Sequence, residues 1–142
     1  MKSTASAIWE GGLKDGKGRL TGGSGAFKDS PYTFARRFEG VGGGTTPEEL
    51  IAAAHSGCFA MALSGELGRA GFTPTRLSVS ATVTLEPVDG KPTVTASALD
   101  LEAVIPGIDD AKFQQIAAGA KAGCPISRLL NANITLAAKL AS

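Results

Sequence analysis

Residues 46–63 read TPEELIAAAHSGCFAMAL, and this stretch decides the fold. Its first residues are typical of a helix N-terminus. Thr46 is a suitable N-cap, Pro47 suits the first helical position, and Glu49 follows Thr46 at the spacing of a capping box. Glu48 and Glu49 also complement the positive end of the helix dipole. The sequence therefore predicts a long helix that begins here.

The centre of this helix is apolar on nearly all sides, from Leu50 to Leu63. Such a helix is expected to be buried on most of its surface. It continues towards Ala70 and meets a stop signal at Gly71. No stretch of the chain reaches the apolar length of a bilayer span, and His55 and Ser56 interrupt this one, so no membrane partner is expected.

The residues before the helix predict short β-strands. Runs around Ile8-Trp9, at Lys17–Thr21 and at Thr33–Phe38 are separated by Gly, Asp, Ser and Pro. The first two runs could form a hairpin. Alternation along the third predicted strand makes Arg37 the odd charge on its face.

The residues after the helix predict two longer strands. Leu77–Leu85 alternates apolar and polar side chains, and Asp89-Gly90 is a turn. A second strand follows from about Thr93 to Ile105. Its apolar phase slips between Ala98 and Leu99, which favours a β-bulge there.

The remaining residues predict a second helix, a short helical turn and a last strand. Asp109 or Asp110 caps the helix, Gly123 ends it, and Cys124-Pro125 opens the turn. The strand carries Ile134, Leu136, Ala138 and Leu140. The element order indicates an α+β chain with mostly antiparallel pairing, read as a single domain over residues 1–142.

The composition excludes several classes of protein. The chain has 142 residues, 43% of them hydrophobic, so it can bury a core. Its 14 basic and 13 acidic residues nearly cancel, which gives no reason to expect a nucleic acid as partner. The first residues lack the apolar core of a signal peptide, so a cytoplasmic location is expected. In a reducing compartment, the two cysteines are more often catalytic or redox-active than structural.

Two weaker signals carry no firm prediction. One histidine and two cysteines do not make a convincing zinc site, and no metal or organic cofactor is expected. The run from Gly42 to Thr46 precedes a helix and could cradle a phosphate. It has neither a Walker lysine nor a dinucleotide-binding pattern.

The two cysteines have different local settings. Cys58 lies in an Ala-rich helix, where a cysteine can be simply a small buried hydrophobe, and apolar burial would leave its thiol inert. A nearby cation would make it reactive. Arg37 could supply one, unless it is a solvated surface arginine. Cys124 is the expected N-cap of the turn begun by Pro125, which would stabilise its thiolate, although a small residue at a crowded corner explains it equally.

Several motifs together resemble the family of osmotically inducible and organic-hydroperoxide-resistance proteins (the OsmC/Ohr family), and more closely its osmotically inducible branch. The resemblance runs from Trp9 to the last strand. The matching segments are Arg37–Gly40, Thr46–Leu63, Ala70–Pro74, Ala103–Asp109 and Lys121–Ser127.

The resemblance implies a cysteine-based peroxidase that needs no cofactor and serves stress defence. Cys58 matches the cysteine that attacks the peroxide, and Cys124 matches the resolving cysteine. Arg37 matches the arginine that stabilises the thiolate, and Glu48 matches the acid that pairs with it. The implied fold is an intertwined homodimer, with antiparallel sheets around long central helices and active sites at the interface. The implied substrates are organic hydroperoxides, with a small or lipoyl-linked dithiol as reductant.

Helix geometry adds a hypothesis about the dimer. Glu48 and Cys58 are ten positions apart, which is about 15 Å along a straight helix. Two antiparallel copies of the helix would bring Glu48 of one chain near Cys58 of the other. We therefore expect Arg37 and Glu48 of one subunit to serve Cys58 of its mate.

Two alternatives stay open at this point. An apolar pocket at the dimer interface could bind an apolar ligand without catalysis, in which case the two cysteines have no chemical role. The chain could also be a redox sensor that passes its disulfide to a partner, although no DNA-binding motif supports direct gene control.

Overall fold

The computed structural model describes residues 1–141. They fall into two compact units, Met1–Leu50 and the segment from Ile51 onward, and the boundary lies within the first long helix. In chain order, the helices and strands are β1 Ala5–Glu10, β2 Lys17–Gly22, β3 Ser30–Tyr32, α1 Pro47–Arg69, β4 Arg76–Val88, β5 Lys91–Val104, α2 Asp110–Gly123, α3 Pro125–Leu129 and β6 Asn133–Ala141. The α+β class predicted from the sequence is confirmed.

The first unit holds an antiparallel sheet in the order β1-β2-β3. The predicted hairpin of β1 and β2 is confirmed. Gly18 is paired with Trp9 on one side and with Tyr32 on the other. A Cβ at Gly18 would meet the Tyr32 ring at 2.3 Å, so glycine here lets the aromatic side chains close over the strand, with ring centroids 5.4 Å apart.

The strand predicted at Thr33–Phe38 is wrong, because these residues form most of a π-helical turn at Ala35–Glu39. The Thr33 hydroxyl accepts a hydrogen bond from the Arg36 amide at 3.1 Å, as in a helix cap. Gly40 ends the turn with φ of 70°. The strand prediction placed Phe34 and Phe38 on one face of a strand, but their rings pack against each other one helical turn apart, tilted by 40° and with centroids 4.9 Å apart.

The N-terminus of α1 is capped as predicted. Thr46 Oγ1 accepts from the Glu49 amide at 3.0 Å. The Glu49 carboxylate accepts instead from the Thr45 hydroxyl, at 2.9 Å, so only half of the capping box forms. The C-terminus also follows the prediction: Gly71 has φ of 88°, and the Phe72 amide donates to the Leu67 carbonyl.

The prediction that α1 is buried on most of its surface is wrong for this chain by itself. Beyond Leu50, one stripe is buried at a spacing of four residues, consisting of His55, Phe59, Leu63 and Leu67. The remaining surface stays apolar but accessible, and Met61 is 80% exposed. A second chain could cover such a face, which a single sequence presents as one uniformly apolar helix.

By length and composition, α1 also qualifies as a candidate membrane span, contrary to the prediction that no stretch is long enough. It has 23 residues and few charged side chains. The core helix of a globular protein can share this length and composition. The His55 ring is fully buried and hydrogen-bonded at both nitrogens, which is the environment of a helix packed within protein.

The second unit holds a sheet in the order β4-β5-β6, where β4 and β5 are antiparallel and β5 and β6 are parallel. Asp89 and Gly90 both have positive φ, as a two-residue hairpin turn requires. The core forms between this sheet, α1 and α2. Its buried apolar side chains are Phe59, Leu63, Leu67, Leu99, Leu101, Ala103, Ile105, Phe113, Ala117, Ala120 and Cys124.

The β-bulge predicted between Ala98 and Leu99 lies elsewhere. The register shifts between Thr84 and Leu85, opposite Thr95. From there the buried positions of β5 keep one phase, which begins with the polar Ser97. The sequence pattern was misleading because Ala98, although apolar, is only half-buried, while Ser97 is fully buried.

The end of the chain follows the sequence expectation. Asp109 caps α2 by accepting from the Lys112 amide at 2.8 Å. Cys124 separates α2 from α3 in an extended conformation, as a residue before proline prefers. Its sulfur accepts from the Ser127 amide at 3.4 Å, so the predicted N-cap role is confirmed.

Candidate active site

Arg37 and Glu48 form a hydrogen-bonded ion pair within the first unit. Arg37 Nε lies 3.1 and 3.2 Å from the two carboxylate oxygens, and Nη2 lies 2.6 Å from Oε1. Glu48 is only 8% exposed. A buried carboxylate needs such a partner, and two guanidinium nitrogens hold the arginine in one orientation.

The local sequence explains how this pair is positioned. The turn at Ala35–Glu39 places Arg37 after β3, and the cap at Thr46 fixes the first turn of α1, which carries Glu48. The Arg37 guanidinium also lies 5.2 Å from the centroid of the Phe38 ring, within range of a cation–π contact. Arg37 is therefore not a freely solvated arginine.

Arg37 also lines an apolar pocket of about 230 Å³ in the same unit. The other residues that line it are Trp9, Leu13, Tyr32, Thr33, Phe34 and Phe38. This pocket could accept a hydrocarbon group of modest size and place one polar end of the ligand beside a fixed positive charge.

The second unit brings the two cysteines together. Both are free thiols; Cys124 is fully buried and Cys58 is partly buried. Cys58 packs against the buried core that includes Cys124, and its pKa is influenced by two near neighbours, the Cys124 thiol and the Ile126 backbone amide. The first turn of α3 thus lies beside both cysteines, since the Ser127 amide donates to Cys124.

Burial raises the pKa of the Cys58 thiol, and the neighbouring Cys124 thiol raises it further, while the hydrogen bond from Ile126 acts in the opposite direction. This agrees with the prediction that apolar burial in the Ala-rich helix would leave the Cys58 thiol unreactive. Within its own unit, Cys58 is thus held as a thiol, and its activation needs a positive charge from elsewhere.

A buried hydrogen-bonded chain ends at Cys124, and its three other members, His55, Ser97 and Ser127, were not predicted as site residues. His55 Nδ1 lies 2.6 Å from the Ser97 hydroxyl, and His55 Nε2 lies 2.8 Å from the Ser127 hydroxyl. The Ser127 hydroxyl in turn lies 3.2 Å from Cys124 Sγ. Burial lowers the pKa of His55, so its ring is neutral at rest near pH 7.

The signals for the missed serines were partial. Ser127 lies three residues after Cys124, at the spacing of a capped turn, and that spacing was visible. Ser97 became a site residue only through the position of the bulge at Thr95.

A metal site is not indicated. Within residues 1–141, no three side chains of His, Cys, Asp or Glu cluster closely enough to hold a metal ion. The loop before α1 is also poorly suited to bind a phosphate group, because Glu48 and Glu49 place negative charge in the first turn of the helix.

Comparisons with known proteins identify the family of the chain. The model of the family described as OsmC-like protein matches residues 40–139. Peroxiredoxin OsmC of Escherichia coli (strain K12) is 52% identical over 136 residues, which cover 96% of this chain and 94% of that protein. The organic hydroperoxide resistance protein of Xanthomonas axonopodis pv. citri (strain 306) is 29% identical over 115 residues, which cover 80% of this chain and 79% of that protein.

Solved structures of OsmC-like proteins have a similar fold. The crystal structure of an OsmC-like protein from Mycoplasma pneumoniae superposes with a TM-score of 0.76 at 16% identity, covering 100% of this chain and 99% of that one. This likeness concerns the fold alone. Together with the family match and the 52% identity, it establishes that the chain belongs to the OsmC-like protein family.

Proposed function

We propose that this chain is a thiol-dependent peroxidase that reduces organic hydroperoxides, and hydrogen peroxide less well, in oxidative or osmotic stress defence. The observation that carries the proposal is that Cys58 and Cys124 are both free thiols and that Cys58 packs against the core that includes Cys124. It agrees with the printed name of the E. coli relative, Peroxiredoxin OsmC.

The reaction begins at Cys58, which is the more accessible thiol. Its thiolate attacks the terminal oxygen of the hydroperoxide, so an S–O bond forms and the O–O bond breaks. The alkoxide leaves and takes a proton to become an alcohol. Cys58 is left as a sulfenic acid, which condenses with Cys124 to a disulfide and water.

Arg37 has the chemistry to activate this step. A guanidinium remains charged at any physiological pH and can donate several hydrogen bonds, so it can stabilise a thiolate and orient the peroxide. Glu48 holds Arg37 through Nε and Nη2. We assign Glu48 to keeping the guanidinium in place, and Arg37 to lowering the pKa of Cys58.

The active site is proposed to be shared across a homodimer. Arg37 and Glu48 pair within one chain, while Glu48 and Cys58 are ten residues apart along α1, about 15 Å. An antiparallel second copy of α1 would bridge this distance. The accessible apolar face of α1 around Met61 gives the second copy a surface to cover.

The substrate class follows from the pocket beside Arg37. Four aromatic rings surround it, so it favours a hydroperoxide with an apolar group over hydrogen peroxide, which gains nothing from burial there. Arg37 would meet the polar end of the bound hydroperoxide. The proposal therefore expects a lower KM for cumene hydroperoxide than for hydrogen peroxide.

The catalytic cycle needs an external dithiol, which we propose to be a small or lipoyl-linked one. Thiol–disulfide exchange would return both cysteines to thiols, the state that a reducing cytoplasm maintains. The E. coli relative covers 96% of this chain, which supports treating residues 1–142 as one OsmC-like domain.

Substitution of the two cysteines tests the proposal. Cys58→Ser should abolish consumption of cumene hydroperoxide. Cys124→Ser should still consume one equivalent and then stop, with a sulfenic acid that a dimedone probe traps. Unchanged turnover in Cys58→Ser would contradict the enzymatic function, and binding of an apolar ligand by that variant would then favour the binding protein.

A further inference from the structure

We infer that His55 is the proton acceptor for Cys124 in the resolving step, acting through the hydroxyl of Ser127. This inference rests on the proposed function and adds a second half to the site. Arg37 is proposed to activate Cys58 in the first step. The buried hydrogen-bonded chain runs from Ser97 through His55 and Ser127 and ends at Cys124, which reacts in the second step.

The resolving step requires a base because Cys124 must lose a proton. In the reduced protein the thiol is fully buried, so solvent has no direct access to it. Its polar neighbours are the Cys58 thiol and the hydroxyl and amide of Ser127. Of these, the Ser127 hydroxyl at 3.2 Å can both accept a proton and pass one on.

The hydrogen-bond chain allows the transfer without large motion. Ser127 Oγ lies 2.8 Å from His55 Nε2, so the hydroxyl proton can move to the ring as the Cys124 proton moves to the hydroxyl. The other ring nitrogen lies 2.6 Å from Ser97 Oγ. The imidazolium would therefore donate one hydrogen bond to each of two hydroxyl oxygens, which offsets the cost of burying its charge.

The resting state of His55 suits this task. Burial lowers the pKa of the ring, which is therefore unprotonated and ready to accept near neutral pH. The same effect makes the imidazolium release its proton once the disulfide has formed. The ring thus holds a proton only for the duration of the step.

The atoms balance as follows. The proton of Cys124 goes to Ser127, and that of Ser127 goes to His55. The Cys124 sulfur then gives its electron pair to the Cys58 sulfur, so the S–S bond forms and the S–O bond breaks. Cys124 is oxidised and the sulfenic sulfur is reduced. Oxygen leaves as hydroxide, and the proton that His55 releases completes one water.

Two variants separate this role from a purely structural one. Ser127→Ala removes the relaying hydroxyl and keeps the amide that bonds Cys124. His55→Gln keeps a hydrogen-bonding side chain that cannot hold the proton. Ser127→Thr restores a hydroxyl and should rescue the rate. Ser80→Ala, at an exposed position of β4, makes the same chemical change away from the hydrogen-bonded chain and from α1.

The experiment mixes reduced protein with one equivalent of cumene hydroperoxide. Trapping of sulfenic acid at Cys58 gives the rate of the first step, and mass analysis of the quenched disulfide gives the rate of the second. In Ser127→Ala and His55→Gln the first rate should stay unchanged. The second should fall about 100-fold, the lower end of what a positioned general base contributes.

A solvent isotope comparison keeps the test decisive if His55→Gln folds poorly. In the parent protein, disulfide formation should be slower in D2O than in H2O, and this difference should shrink in Ser127→Ala. Disulfide formation at the parent rate in Ser127→Ala would overturn the inference alone. Absence of both a sulfenic acid and a disulfide at Cys58 in the parent would overturn the proposed function, and this inference with it.

Discussion

The guanidinium of Arg37 donates hydrogen bonds to the carboxylate of Glu48 through two nitrogens, Nε and Nη2, and Glu48 is almost fully buried. A buried pair of this geometry fixes the direction in which the arginine points. In the proposed peroxidase, that direction decides whether the cation reaches a thiol whose own surroundings keep it protonated.

Without Arg37, the pKa of Cys58 should stay at the raised value that burial gives it, and less of the thiol should ionise at neutral pH. Arg37→Ala should slow alkylation of Cys58 by iodoacetamide at pH 7 about ten-fold or more, since each pKa unit changes the thiolate fraction about ten-fold. Arg37→Lys should recover only part of the rate, because lysine cannot make the two-nitrogen contact with Glu48. Alkylation in Arg37→Ala at the parent rate would mean that Arg37 does not activate Cys58.

Mixing two inactive variants should restore activity if the site is shared. A dimer of one Arg37→Ala chain and one Cys58→Ser chain contains one complete site. Random mixing should give about a quarter of the parent peroxidase activity, since half of the dimers are mixed and each has one working site of two. Cys58→Ser mixed with Cys124→Ser is the control and should stay inactive, because these two cysteines belong to one unit. No recovery in the first mixture would place all groups of the site in one chain.

His55 should make the fold sensitive to acid. Its pKa is lowered in the folded protein, so below pH about 6.5 the unfolded chain binds a proton that the folded chain does not. Stability is therefore fully present above that pH and falls as the pH drops towards the folded-state pKa, by up to about 1.4 kcal/mol per pH unit. Urea unfolding at pH 7.5, 6.5 and 5.5, at fixed protein concentration, should show a flatter dependence in His55→Gln. Parallel curves for parent and variant would contradict the assigned burial of a neutral ring.

The hairpin turn between β4 and β5 should tolerate only glycine at its second position. Gly90 has φ of 76° and follows Asp89 at 51°. Gly90→Ala should lower the free energy of unfolding by about 1–2 kcal/mol, the cost of a left-handed backbone with a Cβ. Gly119→Ala is the matched control. It lies on the exposed side of α2 with open space around its Cβ, and should stabilise by about 0.5–1 kcal/mol. Equal effects of both substitutions in thermal unfolding would argue against this turn.

Much of the fold was predictable because its boundaries carry local signals. Thr46 and Gly71 mark the ends of α1, and Asp109 marks the start of α2. These residues act through their own backbone neighbours, so the sequence alone contains the information. Both cysteines and the Arg37–Glu48 pair were predicted as site residues through the resemblance to the family, and the structure contains the ion pair.

One error came from competing local patterns and another from a non-local pairing. The residues around Arg37 were read as a strand of period two, yet the Thr33 cap and the contact between the rings of Phe34 and Phe38 favour a helical turn. Ser97 was not predicted as a site residue, and the bulge was placed after it, between Ala98 and Leu99. The true bulge at Thr95 turns it inward, where its hydroxyl meets the ring of His55.

The most direct test of the central claim is to map the disulfide formed in the reduced protein after one equivalent of cumene hydroperoxide. The account predicts one intramolecular bond between Cys58 and Cys124, found by mass in the linked peptides, with Cys58→Ser remaining fully reduced. Oxidised protein without that bond, or with a bond between Cys58 residues of two chains, would contradict the two-cysteine mechanism.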